Sequence, residues 1–363
     1  MKSSRLVYAT VLAAGVATLA LTADTTARAN AAVSNHAFAA TAMAAPNDRE
    51  ARQPRALVTD QFNNRVVVID TTHKILWHFG DGSSVAGPNS IVGPNDAERV
   101  GPFTLIAGTG APAGSEPTCP QGCPDNRVTI VDHRGKIIWQ YGVAGVAGSG
   151  FNQLNSPVFN VFLPNGHILI VDQGNERVIE VELITHKVVW QYGRAGVIGS
   201  GFNQLSNPNS AELLANGHIL IADENNNRVI EVNREHEIVW SYGNPLNTKI
   251  LSGAAFASRL LNGNTLITDS NNNRIIEINA SKQLVFLFST VNRPGSIKMP
   301  LPKRAVRLRD GLTLISDQFN DQVIAVNRVG QIVFVQGRSA SPEPASINST
   351  PRTPPWSSAT SPD

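Results

Sequence analysis

The chain reads as an all-β protein, a six-bladed β-propeller of four-stranded antiparallel blades, and three observations lead there. A motif, Asp-x-x-Asn-x-Arg, recurs as Asp60-Asn63-Arg65, Asp172-Asn175-Arg177, Asp223-Asn226-Arg228 and Asp269-Asn272-Arg274. A weaker copy stands at Asp317-Asn320-Gln322, and an interrupted one survives as Asp125 and Arg127. The last motif position (Arg65, Arg127, Arg177, Arg228, Arg274, Gln322) steps by 62, 50, 51, 46 and 48 residues. Each copy leads into an aromatic column: Trp77, Trp139, Trp190, Trp240, Phe286 and Phe334. Periods of about 50 residues, each with four short β runs, are the signature of propeller blades.

In chain order, residues 1–31 read as an export signal. Lys2 and Arg5 precede an apolar stretch from Leu6 to Ala23, and Ala-x-Ala sites follow at Ala27-Arg28-Ala29 and Ala29-Asn30-Ala31. Residues 32–45 are a linker. No later segment is long and apolar enough to span a bilayer, so the mature chain is expected to be secreted or periplasmic. A net charge of +2 lacks the basic stripe of a nucleic-acid binder. Residues 338–363, rich in Ser, Pro and Thr, read as a disordered tail.

The propeller occupies residues 46–337. Pro46-Asn47-Asp48-Arg49-Glu50 echoes Pro94-Asn95-Asp96-Ala97-Glu98, so it is expected to open the first blade and leave no swapped closing strand. The second blade carries an insertion at 108–124, between its second and third strands, with both cysteines of the chain. Cys119-Pro120-Gln121-Gly122-Cys123 in an exported protein is expected to form a disulfide loop. Because the insertion leaves from the second-to-third-strand side, it should project over the binding face as a flap.

The fourth copy shows the unit in full. Ala211 to Leu214 is a first strand, Asn216-Gly217 a hairpin turn, and His218 to Ala222 a second strand. A polar loop from Asp223 to Asn227 leads to a third strand from Arg228 to Val232, and a fourth ends at Gly243. The sixfold aromatic column is expected to pack between neighbouring sheets, since one ligand site would not need six copies. The same logic makes the motif structural: Asp and Asn close the turn and Arg pairs with a carboxylate. With Gln322 for Arg, that pairing should be weakest in the last blade.

The joins Gly148-Ser149-Gly150-Phe151-Asn152-Gln153-Leu154 and Gly199-Ser200-Gly201-Phe202-Asn203-Gln204-Leu205 each precede a proline and a Gly-His-Ile-Leu-Ile strand. That succession resembles NHL-repeat propellers. The Val-Val-Trp fourth strand and the Leu163-Pro164-Asn165-Gly166-His167 turn are similar to arylsulfotransferase-type propeller repeats. The resemblance covers about residues 46–337 and implies the fold more than an activity. Cys-Pro-x-x-Cys-Pro is also similar to the motif of copper-chaperone SCO proteins, but nothing around it matches that family.

Propellers usually bind on the face built by second-to-third loops and inter-blade joins. His167 and His218 fall at first-to-second turns; His73, His133, His186 and His236 lie at or beside third-to-fourth turns. None reaches the binding face, which counts against the histidine-dependent enzymes of this architecture. First strands diverge instead. Asn95, Asp96, Glu98, Asn160, Asn209 and Glu212 bring acids and amides to the channel; Arg259 and Arg307, with Lys303 and Arg304, bring bases. These candidate ligand-binding residues would suit a dipolar small molecule or a protein ligand. The reading is a binding module with no cofactor. The alternative is a hydrolase or lyase with Ca²⁺ held by Glu98, Glu212, Asn95 and Asn209; an arylsulfotransferase-like enzyme would need a pocket histidine.

Overall fold

The structure is a computed structural model that describes residues 55–70, 74–115, 118–293 and 295–337. The expected export signal, linker, opening strand at 46–50 and tail lie outside the described residues, as does His73. The described chain forms six antiparallel sheets of consecutive strands. Blade one contributes Arg55–Asp60, Arg65–Asp70 and Ile75–Phe79. Blade two runs through Pro94–Val100, Phe103–Ala111, Cys123–Val131 and Ile137–Tyr141, and blade three through Pro157–Phe162, His167–Asp172, Arg177–Glu182 and Val188–Gly193. Blade four comprises Pro208–Leu213, Ile219–Asp223, Arg228–Val232 and Ile238–Gly243. Blade five has Ala254–Arg259, Thr265–Asp269, Arg274–Ile278 and Leu284–Ser289; blade six has Arg304–Arg307, Thr313–Asp317, Gln322–Val326 and Ile332–Gly337.

The first strand of blade four begins at Pro208, not Ala211. A register shift between Pro208 and Ser210 lets the proline pair with Asp223, and a strand's first residue is where the ladder tolerates a missing N–H. Apolar clusters join adjacent blades. Leu105, Val128, Trp139 and Tyr141 of blade two pack with Leu154, Ile168, Ile170 and Ile179 across the boundary with blade three. Burying both faces of each sheet is what selects the Val/Ile-rich second and third strands.

The repeated motif is a staple. In blade four Asp223 accepts Arg228 Nε at 2.7 Å, Asn226 Nδ2 at 2.8 Å and the Ser206 amide at 2.8 Å. Arg228 spends its remaining donors on the carbonyls of Ser200 and Gln204 in the preceding join, and Arg177 does the same to Ser149 and Gln153. Both arginines are buried. The residue before each arginine takes a left-handed turn (Asn64, Glu176, Asn227 and Asn273, φ near 50°), where asparagine is tolerated best of the bulkier residues. Its side chain then reaches the next blade: Asn227 accepts the Gly253 amide and Asn273 that of Leu301. One six-residue motif thus closes its own turn, clamps one join and grips the next blade.

Two blades reach the same staple by another route. In blade two the motif's aspartate position is Gly108, and the carboxyl of Asp125 lies where a Cβ on that glycine would fall. Asp125 comes from the opposite strand, yet it accepts Arg127 Nε at 2.5 Å and the Val92 amide at 2.7 Å. In blade six the expectation of a weak pairing is replaced by substitution in space. Arg293, from the join, donates to Asp317 and to Gln322 Oε1. Burial penalises a lone Asp317 carboxylate, so the missing guanidinium is supplied from elsewhere.

The aromatic column packs as expected in blades one to five. Trp77, Trp139 and Trp190 each donate their indole N–H to the third-to-fourth turn of the next blade, at the carbonyls of His133, Leu183 and Arg234. Phe334 departs from the column at 38 % exposure; the blade-one turn that its neighbours' pattern would set against it lies outside the described residues.

The insertion is a continuation of the blade-two hairpin more than a free flap. Gly110 pairs with Pro124 and Ala111 with Cys123, and a Cys119–Cys123 disulfide closes the tip. Cys119 packs with Val92 and Ala111, and with Ala86 of the preceding join.

Candidate functional site

First strands line the channel with one ladder edge unpaired, and their inward amides need acceptors. The channel carboxylates provide them. Asp96 accepts the Asn160 amide at 3.1 Å and Asn160 Nδ2 at 3.2 Å; Glu98 accepts the Phe162 amide at 2.8 Å. In blade four Ser210 Oγ takes the Ala257 amide and Glu212 takes that of Arg259. Burial pushes the Glu98 carboxyl up to about 7; the Phe162 amide opposes the rise and neighbouring Asp96 adds to it. Glu212 is raised for the same first reason.

At the join end of the channel lies a cavity lined by Asn95, Asp96, Phe159, Asn209, Phe256 and Arg304, among others. Its volume is about 30 Å³, room for one or two waters. Two ion pairs cross the space above the inner strands. Arg304 of blade six pairs with Asp96 of blade two and lies 5.3 Å from the ring of Phe159 and 4.8 Å from that of Phe256. Lys303 reaches Glu224 of blade four at 3.0 Å, and Glu224 also accepts Asn207 and Asn209.

The sequence candidates therefore divide. Asn95, Asp96 and Asn209 meet at the cavity, and Asn160 abuts Asp96. Glu98 and Glu212 lie further along the inner strands. Arg259 and Arg307 lie outside the cavity lining: Arg259 bonds Glu231 at 3.0 Å over Trp240, and Arg307 bonds Glu277 at 2.9 Å over Phe286. Both ties run between blades, in the layer where Glu180 and Glu231 hold His167 and His218. Sequence reasoning missed Glu224, Phe159 and Phe256. The residue after the motif aspartate changes from Gln61 and Gln173 to Glu224, Ser270 and Gln318; that break in the repeat was the available signal. Among the described residues no three His, Cys, Asp or Glu side chains gather as a metal site, and no helix is long and apolar enough to cross a membrane.

The model of the outer membrane protein assembly factor BamB family matches residues 50–286 and 124–355. The chain belongs to this family. Membership in the BamB family agrees with the repeat propeller seen here, while the narrower NHL resemblance rests on the joins alone. No curated protein matches the sequence. Among solved structures, a protein of unknown function from Bacteroides caccae is similar at 15 % identity and a TM-score of 0.54, covering 77 % of this chain and 92 % of its own. Virginiamycin B lyase from Staphylococcus aureus is similar at 12 % identity and a TM-score of 0.51, covering 80 % and 82 %. At such identities the likeness is one of fold.

Proposed function

We propose that this BamB-family propeller is an exported binding module that docks a protein partner on the face built by its joins. One observation carries the reading. Each of the five described joins exposes at least one large apolar side chain: Val85, Phe151, Phe202, Leu246 and Met299 are between 58 % and 96 % exposed, and Val143, Val146, Val197 and Ile198 add to the two glycine-rich joins. Glycine-rich joins held rigidly by the arginine staples have no folding need for Phe151 and Phe202, and aromatic residues on a rigid surface are what binding hot spots use. The family's namesake is an assembly factor, and the disulfide suits an oxidising compartment. The alternative, hydrolase or lyase chemistry on Ca²⁺, has less support, since Glu98 and Glu212 already accept strand amides.

The test is a photo-reactive residue placed at Phe151 or Phe202, and at Ile184 or Val329 on the opposite turns, in the producing cells. A discrete adduct from the first pair alone is expected. Adducts of equal yield from both pairs, or from Ile184 and Val329 only, would remove the join face from the proposal.

A further inference from the structure

We infer that the channel mouth is a receptor for a guanidinium or alkylammonium cation, with the Arg304 side chain as its intramolecular occupant. This goes beyond protein docking and does not rest on it. The receptor is built from three other blades. Asp96, 3 % exposed, faces Arg304 with one carboxylate oxygen and is held by Asn160 through the other. Phe159 and Phe256, with ring centroids 6.2 Å apart, flank the same guanidinium. A carboxylate backed by aromatic faces is the arrangement that selects a cation able to stack and donate hydrogen bonds.

The polar groups nearby favour the same ligand class. The amide oxygen of Asn160, a residue only 1 % exposed that touches Asp96, has no hydrogen-bond partner. A buried acceptor without a donor, beside the Asp96 carboxylate, suits a donor-rich cation. Arg304 can leave without unfolding a blade. It opens the shortest of the described inner strands, Arg304–Arg307, and its side chain is 23 % exposed, so its stem reaches solvent by rotamer change. With Arg304 in place, the cavity admits only water-sized molecules. Ligand entry and Arg304 departure are therefore one exchange, in which a ligand's cation replaces the protein's own.

The test is calorimetric titration with agmatine as the cation and N-butylurea as a neutral control. Wild type should bind agmatine weakly, because its apparent affinity is reduced by the fraction of molecules with Arg304 swung out. Arg304→Ala should bind it at least about tenfold more tightly, a gain equal to removing that competition. Adding Asp96→Asn to Arg304→Ala should lose the gain, and N-butylurea should bind none of the three. Circular dichroism and the thermal midpoint report folding; if Arg304→Ala does not fold, Arg304→Gln keeps the stem and must show the same order. An arginine-containing tripeptide distinguishes sources: binding of both probes points to an arginine on a partner chain, agmatine alone to a small cation. A folded Arg304 variant that ignores agmatine, or binds it equally with and without Asp96, overturns the inference. So does a wild type that binds as tightly as Arg304→Ala.

Discussion

Residue by residue, each of the six motif carboxylates, Asp60, Asp125, Asp172, Asp223, Asp269 and Asp317, is paired with an arginine. Asp223 is fully buried and keeps Arg228, Asn226 and a backbone amide around it. Arg228→Ala strips the strongest of these, and the expected loss is about 1–3 kcal/mol in chemical denaturation. In blade six the matching change is Arg293→Ala, and Gln322→Arg in that background should restore most of the loss by returning the guanidinium to the motif position. If Gln322→Arg rescues nothing, Arg293 does not stand in for it. The Glu98 carboxyl makes a separate prediction. Its pKa is raised to about 7 from an ordinary 4.5, so the folded state retains a proton that the unfolded chain releases. Its contribution is full below about 4.5 and is lost as pH rises through about 7. Thermal midpoints of wild type should therefore fall more steeply between those values than those of Glu98→Gln. Asp321, raised to about 6 by burial, adds the same sign to both proteins and drops out of the comparison.

The outer strand and the blade-two hairpin show how elements are attached. An outer strand has one free ladder edge and a half-exposed apolar face, with Val189, Val239 and Val285 all open to solvent. Its hold on the ring is the aromatic residue beneath, and for Trp139 the indole N–H bond to Leu183 of the next blade at 2.8 Å. Trp139→Phe keeps most of the buried area but orphans that carbonyl, for an expected cost of about 1–2 kcal/mol in urea unfolding. A neutral result would assign the column's value to packing alone. The disulfide acts on a smaller scale. Its loop has a sequence separation of 4, so loop-closure entropy limits its contribution to about 2 kcal/mol. Cys119→Ser with Cys123→Ser should speed protease cleavage between Ala111 and Cys123 while the propeller's unfolding midpoint moves by a few degrees at most. Loss of the whole fold would mean the tip organises the ring, contrary to its peripheral packing on Val92 and Ala86.

For the whole molecule, the question is what makes six similar sheets one unit. Boundary clusters and staples act between neighbours only, as in any repeat array. Lys303–Glu224 and Arg304–Asp96 skip blades: they tie blade six to blades four and two over the channel. The first pair is partly solvated, so a double-mutant cycle on Lys303 and Glu224 should give a coupling of about 0.2–1 kcal/mol that declines with added salt. No coupling at low salt would mean that the bridge orders nothing. These pairs also give the pseudo-symmetric ring its asymmetric mouth, since the position held by Asp96 in blade two is Phe159, Ser210 and Phe256 in blades three, four and five.

The sequence by itself determined the architecture. A sixfold motif at about 50-residue spacing, β-branched runs and Asn-Gly turns all act locally or between adjacent repeats, and periodicity reports such forces. It also showed which face carries the joins, because connectivity alone decides which end of each blade they leave from. What it could not decide was which partner each charge would choose. Arg259 and Arg307 read as channel bases, yet they pair with Glu231 and Glu277 between blades. Arg304, on the same strand as Arg307, instead crosses to Asp96. The second copy of the motif reads as interrupted by an insertion, yet Asp125 fills the space that an aspartate at position 108 would take. Each of these outcomes depends on which side of a strand a residue faces and what lies beside it in space, 28 and 30 residues away for Arg259 and Arg307 and 208 for Arg304. Ion pairs reward proximity in space, and a linear repeat records proximity only along the chain.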